Sequence, residues 1–356
     1  MSAVAPVSTF EDAIAVKPLS SHTYSAYLRD EWCIGTVPHG GYVTSLFQSV
    51  ATAHFKNTHP QQHGGSADPF TLHLTFLRRT STGPAVFTVQ DSKLGARTST
   101  IHITLSQVEG GKQRDEVVAY ISCTNLLTEE GLTSRTDWEI YPPVLPPRGG
   151  DKNGTFLENK VDLRKLTREG ADGIWKRFEA AFPAFRKAST HIEVFIPELE
   201  GYTPGTAGGW KHRRGIGEQW VRFAPYGKIG NWTDPTLGYL IDMFPMMLEG
   251  FDQMSPPSDK NTGGLKKGNA RFWYPTVLLN VDIKKKLPPG GVEWLYVRVQ
   301  NRKIKDGRFD IDIVVLDEDG DVVAISNQVA LAVSASRNAA ARGQNKGAKP
   351  SGESKI

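Results

Sequence analysis

The feature that most constrains this chain is an internal repeat, because two similar halves are expected to fold into two similar units. The stretch VVAYISCTNL at 117–126 can be laid over VVAISNQVAL at 322–331. In the same way, VQDSKLGARTSTIHITL at 89–105 can be laid over VQNRKIKDGRFDIDIVVL at 299–316. The matches indicate a unit of about 130 residues that occurs twice.

Each half combines a helical pattern with a strand-rich meander. The segment GGYVTSLFQSVATAHF at 40–55 places apolar residues at helical spacing after a glycine pair, which predicts an amphipathic helix. Alternating and β-branched residues predict extended segments at 70–79, 85–107, 116–126, 190–197, 217–225, 276–288, 292–321 and 322–333. The fold class expected from this order is α+β, with antiparallel strands.

The middle and the end of the chain differ from these units. Proline and glycine in YPPVLPPRGGDKNG at 141–154 indicate a linker, and the pattern at 170–187 predicts a helix that Pro183 bends or ends. Small and charged residues from 337 onward predict a disordered tail. The expected organisation is an N-terminal unit at 1–135, a linker with a helix at 136–187, a C-terminal unit at 188–336 and a tail at 337–356.

Charge and cysteine content exclude several classes of protein. The net charge is +4, and the last 20 residues hold five basic residues and one acidic residue, so the remainder is near neutral. A basic nucleic-acid surface is therefore not expected. The two cysteines, Cys33 and Cys123, form no disulfide framework and favour a reducing compartment. The N-terminus lacks a signal-peptide pattern, and no apolar run approaches the roughly 18 residues of a membrane span.

An acidic residue in an apolar stretch is the first functional candidate. In LGYLIDMFPMM at 237–247, Asp242 is surrounded by apolar residues. Burying an ionised carboxylate is costly unless it is paired or hydrogen-bonded. The carboxylate is therefore expected to have a role that a leucine at this position would not fulfil.

Four segments resemble acyl-CoA thioesterases of the TesB type, which have a double hotdog fold. WCIGTVPHGGYVTSLF at 32–47 and LGYLIDMFP at 237–245 resemble the segments of their two central helices. PTVLLNVDIKKKLPPG at 275–290 and VVAISNQVALAV at 322–333 resemble two of their strands. The resemblance implies two antiparallel sheets, each wrapped around a central helix. The long middle segment is more similar to divergent thioesterase-like proteins of fungi.

The resemblance also implies a catalytic set. In that family an aspartate, a hydroxyl residue and a glutamine orient the water that attacks the thioester, and these fall on Asp242, Thr276 and Gln328. A carboxylate can take a proton from water, and a hydroxyl and a carboxamide can orient it. Substrate contacts are expected at His39, Gly40 and Gly41, where N–H groups at a helix start can receive an oxyanion.

One position departs from the family. Many relatives carry an acidic residue two positions after the threonine, where this chain has Leu278. Three functions are compatible with such a scaffold: hydrolysis of acyl thioesters, a lyase, cyclase or tailoring reaction, and non-catalytic binding of acyl chains. Hotdog hydratases carry an aspartate and a histidine about five residues apart, and 234–245 contains no such pair.

Other kinds of site are not expected. His59 and His63 have the i, i+4 spacing of metal ligands, but Pro60 and the following glycines indicate a loop, so no metal site is predicted. No G-x-S-x-G, P-loop or dinucleotide motif occurs, and no cofactor is predicted. The expected partner is acyl-CoA or another acyl thioester, with a homo-oligomer as a further expectation. The final Ser-Lys-Ile resembles a peroxisomal signal, which favours a cytoplasmic or peroxisomal location.

Overall fold

The computed structural model describes residues 9–134, 136–141, 144, 161–197, 215–244, 270 and 272–339. The first half contains α1 (Phe10–Ala13), β1 (Lys17–Ser20), β2 (Thr23–Leu28), β3 (Cys33–Ile34), β4 (Val37–Pro38), α2 (Gly40–Thr58), β5 (Asp68–Phe76), β6 (Gly83–Lys93), β7 (Ser99–Glu109) and β8 (Lys112–Thr124). The second half contains α3 (Leu163–Glu169), β9 (Trp175–Phe178), β10 (Ile192–Pro197), β11 (Ile216–Phe223), α4 (Asp234–Ile241), β12 (Phe272–Trp273), β13 (Thr276–Ile283), β14 (Trp294–Gln300), β15 (Ile304–Lys305), β16 (Arg308–Leu316), β17 (Val322–Leu331), β18 (Val333–Ser334) and α5 (Ser336–Ala339). Short 3-10 helices lie at Asp30–Trp32, Gln62–Gly65, Lys187–His191 and Pro225–Gly227.

One antiparallel sheet runs through both halves. Within the described residues its order is β1-β2-β6-β7-β8-β5-β13-β17-β16-β14-β11-β10-β9, with β15 paired to β16. The halves meet at the pair β5–β13, in which Leu74 faces Leu279 and His73 faces Asn280. Next to the junction, each half has the first long strand after its central helix, β5 or β13. Its last long strand, β8 or β17, comes second. The sheet therefore contains the same meander twice, as the repeat predicted.

The central helix of the first half is buried on nearly all sides. Its apolar residues Val43, Leu46, Phe47, Val50 and Ala51 have no exposed surface, which confirms the helix predicted at 40–55. These side chains and the inward-facing residues of both halves form one apolar core. None of the helices among the described residues is long and apolar enough to cross a membrane.

The two central helices make close contact at small residues. A Cβ atom on Gly41 of α2 would lie 2.5 Å from the carbonyl oxygen of Tyr239 and 2.8 Å from that of Gly238 on α4. Both neighbours are backbone atoms, which cannot rotate away as a side-chain end can. The contact therefore requires glycine at position 41 and brings the start of α2 against α4.

The prediction of a helix at 170–187 is wrong. The helix α3 ends earlier, because Gly170 has a φ of 72° and forms a left-handed cap. The Asp172 carboxylate then accepts hydrogen bonds from the N–H groups of Ile174 and Trp175, which starts a turn. The following residues form the edge strand β9, which pairs with β10. Sheet pairing has overridden the helical spacing of the apolar residues.

The predicted start of the tail at residue 337 also needs correction. Asn338 is fully buried, and its side chain accepts a hydrogen bond from the N–H of Thr36 and donates one to the carbonyl of Ile34. These contacts fix α5 against the β3–β4 hairpin. Residues 145–154 of the predicted linker, and 340–356 with the Ser-Lys-Ile ending, lie outside the described residues.

We expect Gly41→Ala to lower the free energy of unfolding by about 2 kcal/mol, because the new methyl group overlaps two backbone carbonyls. Urea unfolding of the variant measures this change. Thr52→Ala lies on an exposed position of the same helix and is the control, with an expected change within about 0.5 kcal/mol. Equal stability of both variants would contradict a close contact at Gly41.

Candidate active site

A pocket of about 410 Å³ lies where the start of α2 meets the end of α4. Its wall is largely apolar and includes Ile34, Val37, Phe76, Phe185, Met243, Phe272, Trp273 and Tyr274. Among the described residues, the charged or basic side chains at its wall are those of His39, Asp242, Arg78, Arg79 and Arg186. A concave, mainly apolar site with a few polar groups is typical of small-molecule binding.

Asp242 is placed by the end of α4. At the helix start the N–H of Thr233 donates a hydrogen bond to Thr236 Oγ1, and Pro235 fits the first turn. The helix ends at Ile241, so Asp242 is the C-cap rather than an interior residue. The Asp242 residue is only 4% exposed but lines the pocket. The carboxylate is therefore nearly buried and faces the cavity.

Three groups hold the Asp242 side chain or lie beside it. The hydroxyl of Thr276, at the start of β13, donates a hydrogen bond of 2.8 Å to Asp242 Oδ1. The backbone N–H of Gly41 also donates to this carboxylate. His39 Nε2 lies 3.6 Å from Asp242 Oδ2 and donates a hydrogen bond of 3.0 Å to the Asp242 carbonyl oxygen.

Burial dominates the electrostatics of this group. It raises the pKa of the Asp242 carboxyl above its usual range, although His39, Thr276 and the N–H of Gly41 act in the opposite direction. Burial likewise lowers the pKa of His39, so its imidazole is neutral at pH 7. Since Nε2 carries the proton that is donated to Asp242, His39 Nδ1 presents a lone pair. That nitrogen is buried and has no hydrogen-bond partner among the described residues.

Gly40 and Gly41 have different places in the site. A Cβ atom on Gly40 would lie 2.5 Å from Asp242 Oδ2, so only glycine leaves the carboxylate in its position. Gly40 lines the pocket and is the first residue of α2, where N–H groups are not used by the helix. Gly41 uses its N–H for Asp242 and packs against α4, so it supports the carboxylate rather than the substrate.

Gln328 lies behind the pocket rather than at its wall. Its residue has no exposed surface, and its Nε2 donates a hydrogen bond of 2.7 Å to the carbonyl of Ile241, next to Asp242. Its Oε1 is buried without a hydrogen-bond partner in the described part of the chain. The structure thus brings Thr276 into direct contact with Asp242 and Gln328 into contact with the neighbouring backbone.

Sequence reasoning missed the arginines of the pocket. Arg78 and Arg79 lie two and three residues beyond the end of β5, and the predicted strand at 70–79 included them without a function. Arg186 is 4% exposed and comes from the segment that was predicted to be a helix. The adjacent pair after a strand was a weak signal, whereas nothing in the local pattern placed Arg186 beside it.

Comparison with known proteins identifies the family. The family model of the acyl-CoA thioesterase N-terminal domain matches residues 28–124, and that of the C-terminal domain matches residues 165–332. The thioesterase-like protein TwmA of Talaromyces wortmannii is 32% identical over 354 residues, which cover 92% of this chain and 93% of TwmA.

Solved structures show the same fold at low sequence identity. A conserved protein of unknown function with a hotdog fold from Alicyclobacillus acidocaldarius has a TM-score of 0.61 and 18% identity, with 92% of this chain and 99% of that chain covered. Acyl-CoA thioesterase II TesB2 from Mycobacterium marinum has a TM-score of 0.57 and 14% identity, with 92% and 100% covered.

These findings define a protein with two tandem hotdog units, which confirms the predicted fold. The chain belongs to the acyl-CoA thioesterase family.

We expect the stability difference between the wild type and Asp242→Asn to depend on pH. The carboxyl has a higher pKa in the folded chain than in the unfolded chain, for which the ordinary value is 3.8. Its contribution to the unfolding free energy is therefore lost as the pH rises from about 3.8 through the folded pKa. Urea unfolding at a series of pH values should show the wild type losing stability relative to the variant over this range. A constant difference would contradict the raised pKa.

Proposed function

We propose that the protein hydrolyses acyl thioesters to a free acid and a thiol. The observation that carries this proposal is the buried Asp242 carboxylate, held by Thr276 at the wall of an apolar pocket. Burial and a raised pKa make the ionised carboxylate a better proton acceptor than an exposed aspartate. Family membership supports the substrate class.

The geometry supports a direct attack by water. Asp242 takes a proton from water as the water oxygen forms a bond to the thioester carbonyl carbon. The hydroxyl of Thr276 keeps the carboxylate in one orientation, and Gln328 Oε1 is an unused acceptor next to this region. The N–H of Gly40 at the start of α2 is the donor proposed for the oxyanion. The intermediate then expels the thiolate, which accepts the proton from Asp242.

Leu278 stands where many relatives carry an acidic residue, but this difference leaves Asp242, Thr276 and Gln328 in place. A β-bulge between Thr276 and Leu278 places Val277 out of register with β17 and shifts the residues that follow. Leu278 pairs with Val329 on one side and Thr75 on the other. Asp242 already receives hydrogen bonds from Thr276 and Gly41, so a second acidic residue is not needed to hold it.

The side chains that line the pocket favour a substrate in which an acyl thioester is joined to phosphate groups. Apolar and aromatic side chains such as Phe76, Phe272 and Tyr274 offer a dry surface for an acyl chain. Arg78 is exposed at the same pocket, and its Nη1 donates a hydrogen bond of 2.6 Å to the carbonyl of Asp115. A guanidinium in this position complements the phosphates of coenzyme A.

A lyase reaction is the second candidate, and one observation favours it. The sequence contains no Asp–His pair within 234–245, but the fold brings His39 from the first half to within 3.6 Å of Asp242 from the second. An acid and a base at one pocket can add water to an enoyl thioester or remove it from a hydroxyacyl thioester.

We expect Asp242→Asn to reduce the rate of thiol release from acyl-CoA by about 100-fold or more, because asparagine cannot accept the proton from water. Thiol release from a series of acyl-CoA chain lengths, followed with a thiol reagent, measures the rate. Asp234→Asn changes the same type of residue at the other end of α4 and should leave the rate unchanged. Binding of acyl-CoA should survive in both variants.

Other results would reject this mechanism. Turnover that persists in Asp242→Asn would exclude the carboxylate as the base. Saturable binding of acyl-CoA with no thiol release in the wild type would identify a binding protein. Loss of enoyl absorbance without thiol release would instead support the lyase reaction.

We expect Arg78→Gln to raise KM for acyl-CoA about fivefold with little change in kcat, because about 1 kcal/mol of phosphate binding is lost. The same acyl group on N-acetylcysteamine, which has no phosphate, should show no such rise. Arg114→Gln removes an equal charge from the β7–β8 hairpin, where Arg114 is paired with Glu109, and is the control. An equal rise for both thioesters would contradict phosphate recognition by Arg78.

A further inference from the structure

Three histidines and an aspartate meet at the end of the first unit that lies away from the pocket. His22 lies in the β1–β2 turn and His54 in the last turns of α2. His59 is the residue directly after α2, and Asp91 lies in β6. His54 lies about 20 Å along α2 from Gly40. This cluster is therefore separate from the Asp242 site.

The three imidazole rings each place Nε2 beside the Asp91 carboxylate. Asp91 Oδ1 lies 2.8 Å from His54 Nε2, and Asp91 Oδ2 lies 2.9 Å from His59 Nε2 and 3.1 Å from His22 Nε2. One atom from each residue lies within 4.8 Å of all the others. The side chain of His54 has no exposed surface, whereas that of His22 is 41% exposed.

The hydrogen bonds around His54 are compatible with those of a metal ligand. Its Nδ1 lies 3.2 Å from the carbonyl oxygen of Ser21, and its Nε2 faces the Asp91 carboxylate. Both partners are acceptors, but a neutral imidazole has only one N–H to donate. A ring that donates from Nδ1 to Ser21 presents the lone pair of Nε2 to a cation, and metal-bound histidines are commonly oriented by such a bond from the other ring nitrogen to a carbonyl.

We propose that this cluster binds a zinc ion and fastens the β1–β2 turn, the end of α2 and β6 together. Three imidazole nitrogens and one carboxylate oxygen make a tetrahedral set that suits Zn²⁺ and leaves no open position for catalysis. Zn–N and Zn–O bonds of about 2.0–2.1 Å place the ligand atoms about 3.3 Å apart. His22, on a turn, and His59, just beyond α2, are placed where they can move toward this geometry.

The pair considered from the sequence does not form the site. His63 Nε2 lies 3.0 Å from the hydroxyl of Ser99 rather than near the cluster. The metal-free alternative has Asp91 accept three N–H groups while the hydroxyl of Tyr24, 3.3 Å from His54 Nδ1, donates to that nitrogen. The two arrangements differ in their response to zinc, whatever reaction the protein catalyses.

The test uses the full-length protein after treatment with a chelator. Zinc titration followed by removal of weakly bound metal should leave one zinc ion per chain, and Co²⁺ should give the absorption bands of a tetrahedral complex. Zinc at 100-fold excess over its dissociation constant should raise Tm by about 4 °C. His22→Ala and His59→Ala, which change the more exposed histidines of the cluster, should each weaken binding by about 100-fold or more.

A histidine outside the cluster provides the control for adventitious zinc binding. His102→Ala removes a histidine from β7 outside the cluster and should bind zinc as the wild type does. Metal-free Tm values show whether His22→Ala and His59→Ala are folded. If the wild type shows no zinc-dependent rise in Tm, or if both variants bind zinc as tightly as the wild type, the cluster is a hydrogen-bond network only and the proposal is wrong.

Discussion

The close contact between the start of α2 and the end of α4 is the constraint on which the candidate active site depends. Gly41 lets the two helix backbones touch, and Gly40 leaves room for the Asp242 carboxylate beside the helix start. The carboxylate thereby gains a backbone N–H and a place at the positive end of α2, which offset part of its burial cost. A side chain at Gly41 would separate the two helices, and one at Gly40 would displace the Asp242 carboxylate.

The sequence alone predicted the features that are set by the spacing of neighbouring residues or by the internal repeat. The tandem units, the helix at 40–55 and the approach of Thr276 to Asp242 follow from such patterns and from the family resemblance. His39, by contrast, is 203 residues from Asp242, and its contact exists only because the halves pack together. The histidine cluster likewise joins residues that are far apart in the chain, and no spacing rule could find it.

The two central helices carry different side chains at corresponding positions of the repeat. If Gly41 of GGYVTSLF is aligned with Gly238 of LGYLIDMF, Ser45 corresponds to Asp242. Ser45 is buried and lies close to Gly238, much as Asp242 lies close to Gly40. Its hydroxyl cannot act as a base at neutral pH. The first unit therefore contributes the helix start and His39, and the second contributes the carboxylate.

The pairing of β5 with β13 has a consequence for folding cooperativity. In an isolated unit, β5 or β13 would be an uncovered edge with free N–H and C=O groups that can pair with another chain. In the intact chain each of these strands covers the other, and the outermost strand β1 carries Lys17 and Pro18, which discourage further pairing. Neither half can therefore lose its structure without exposing the edge of the other, so unfolding of one homologous unit is energetically coupled to that of the other.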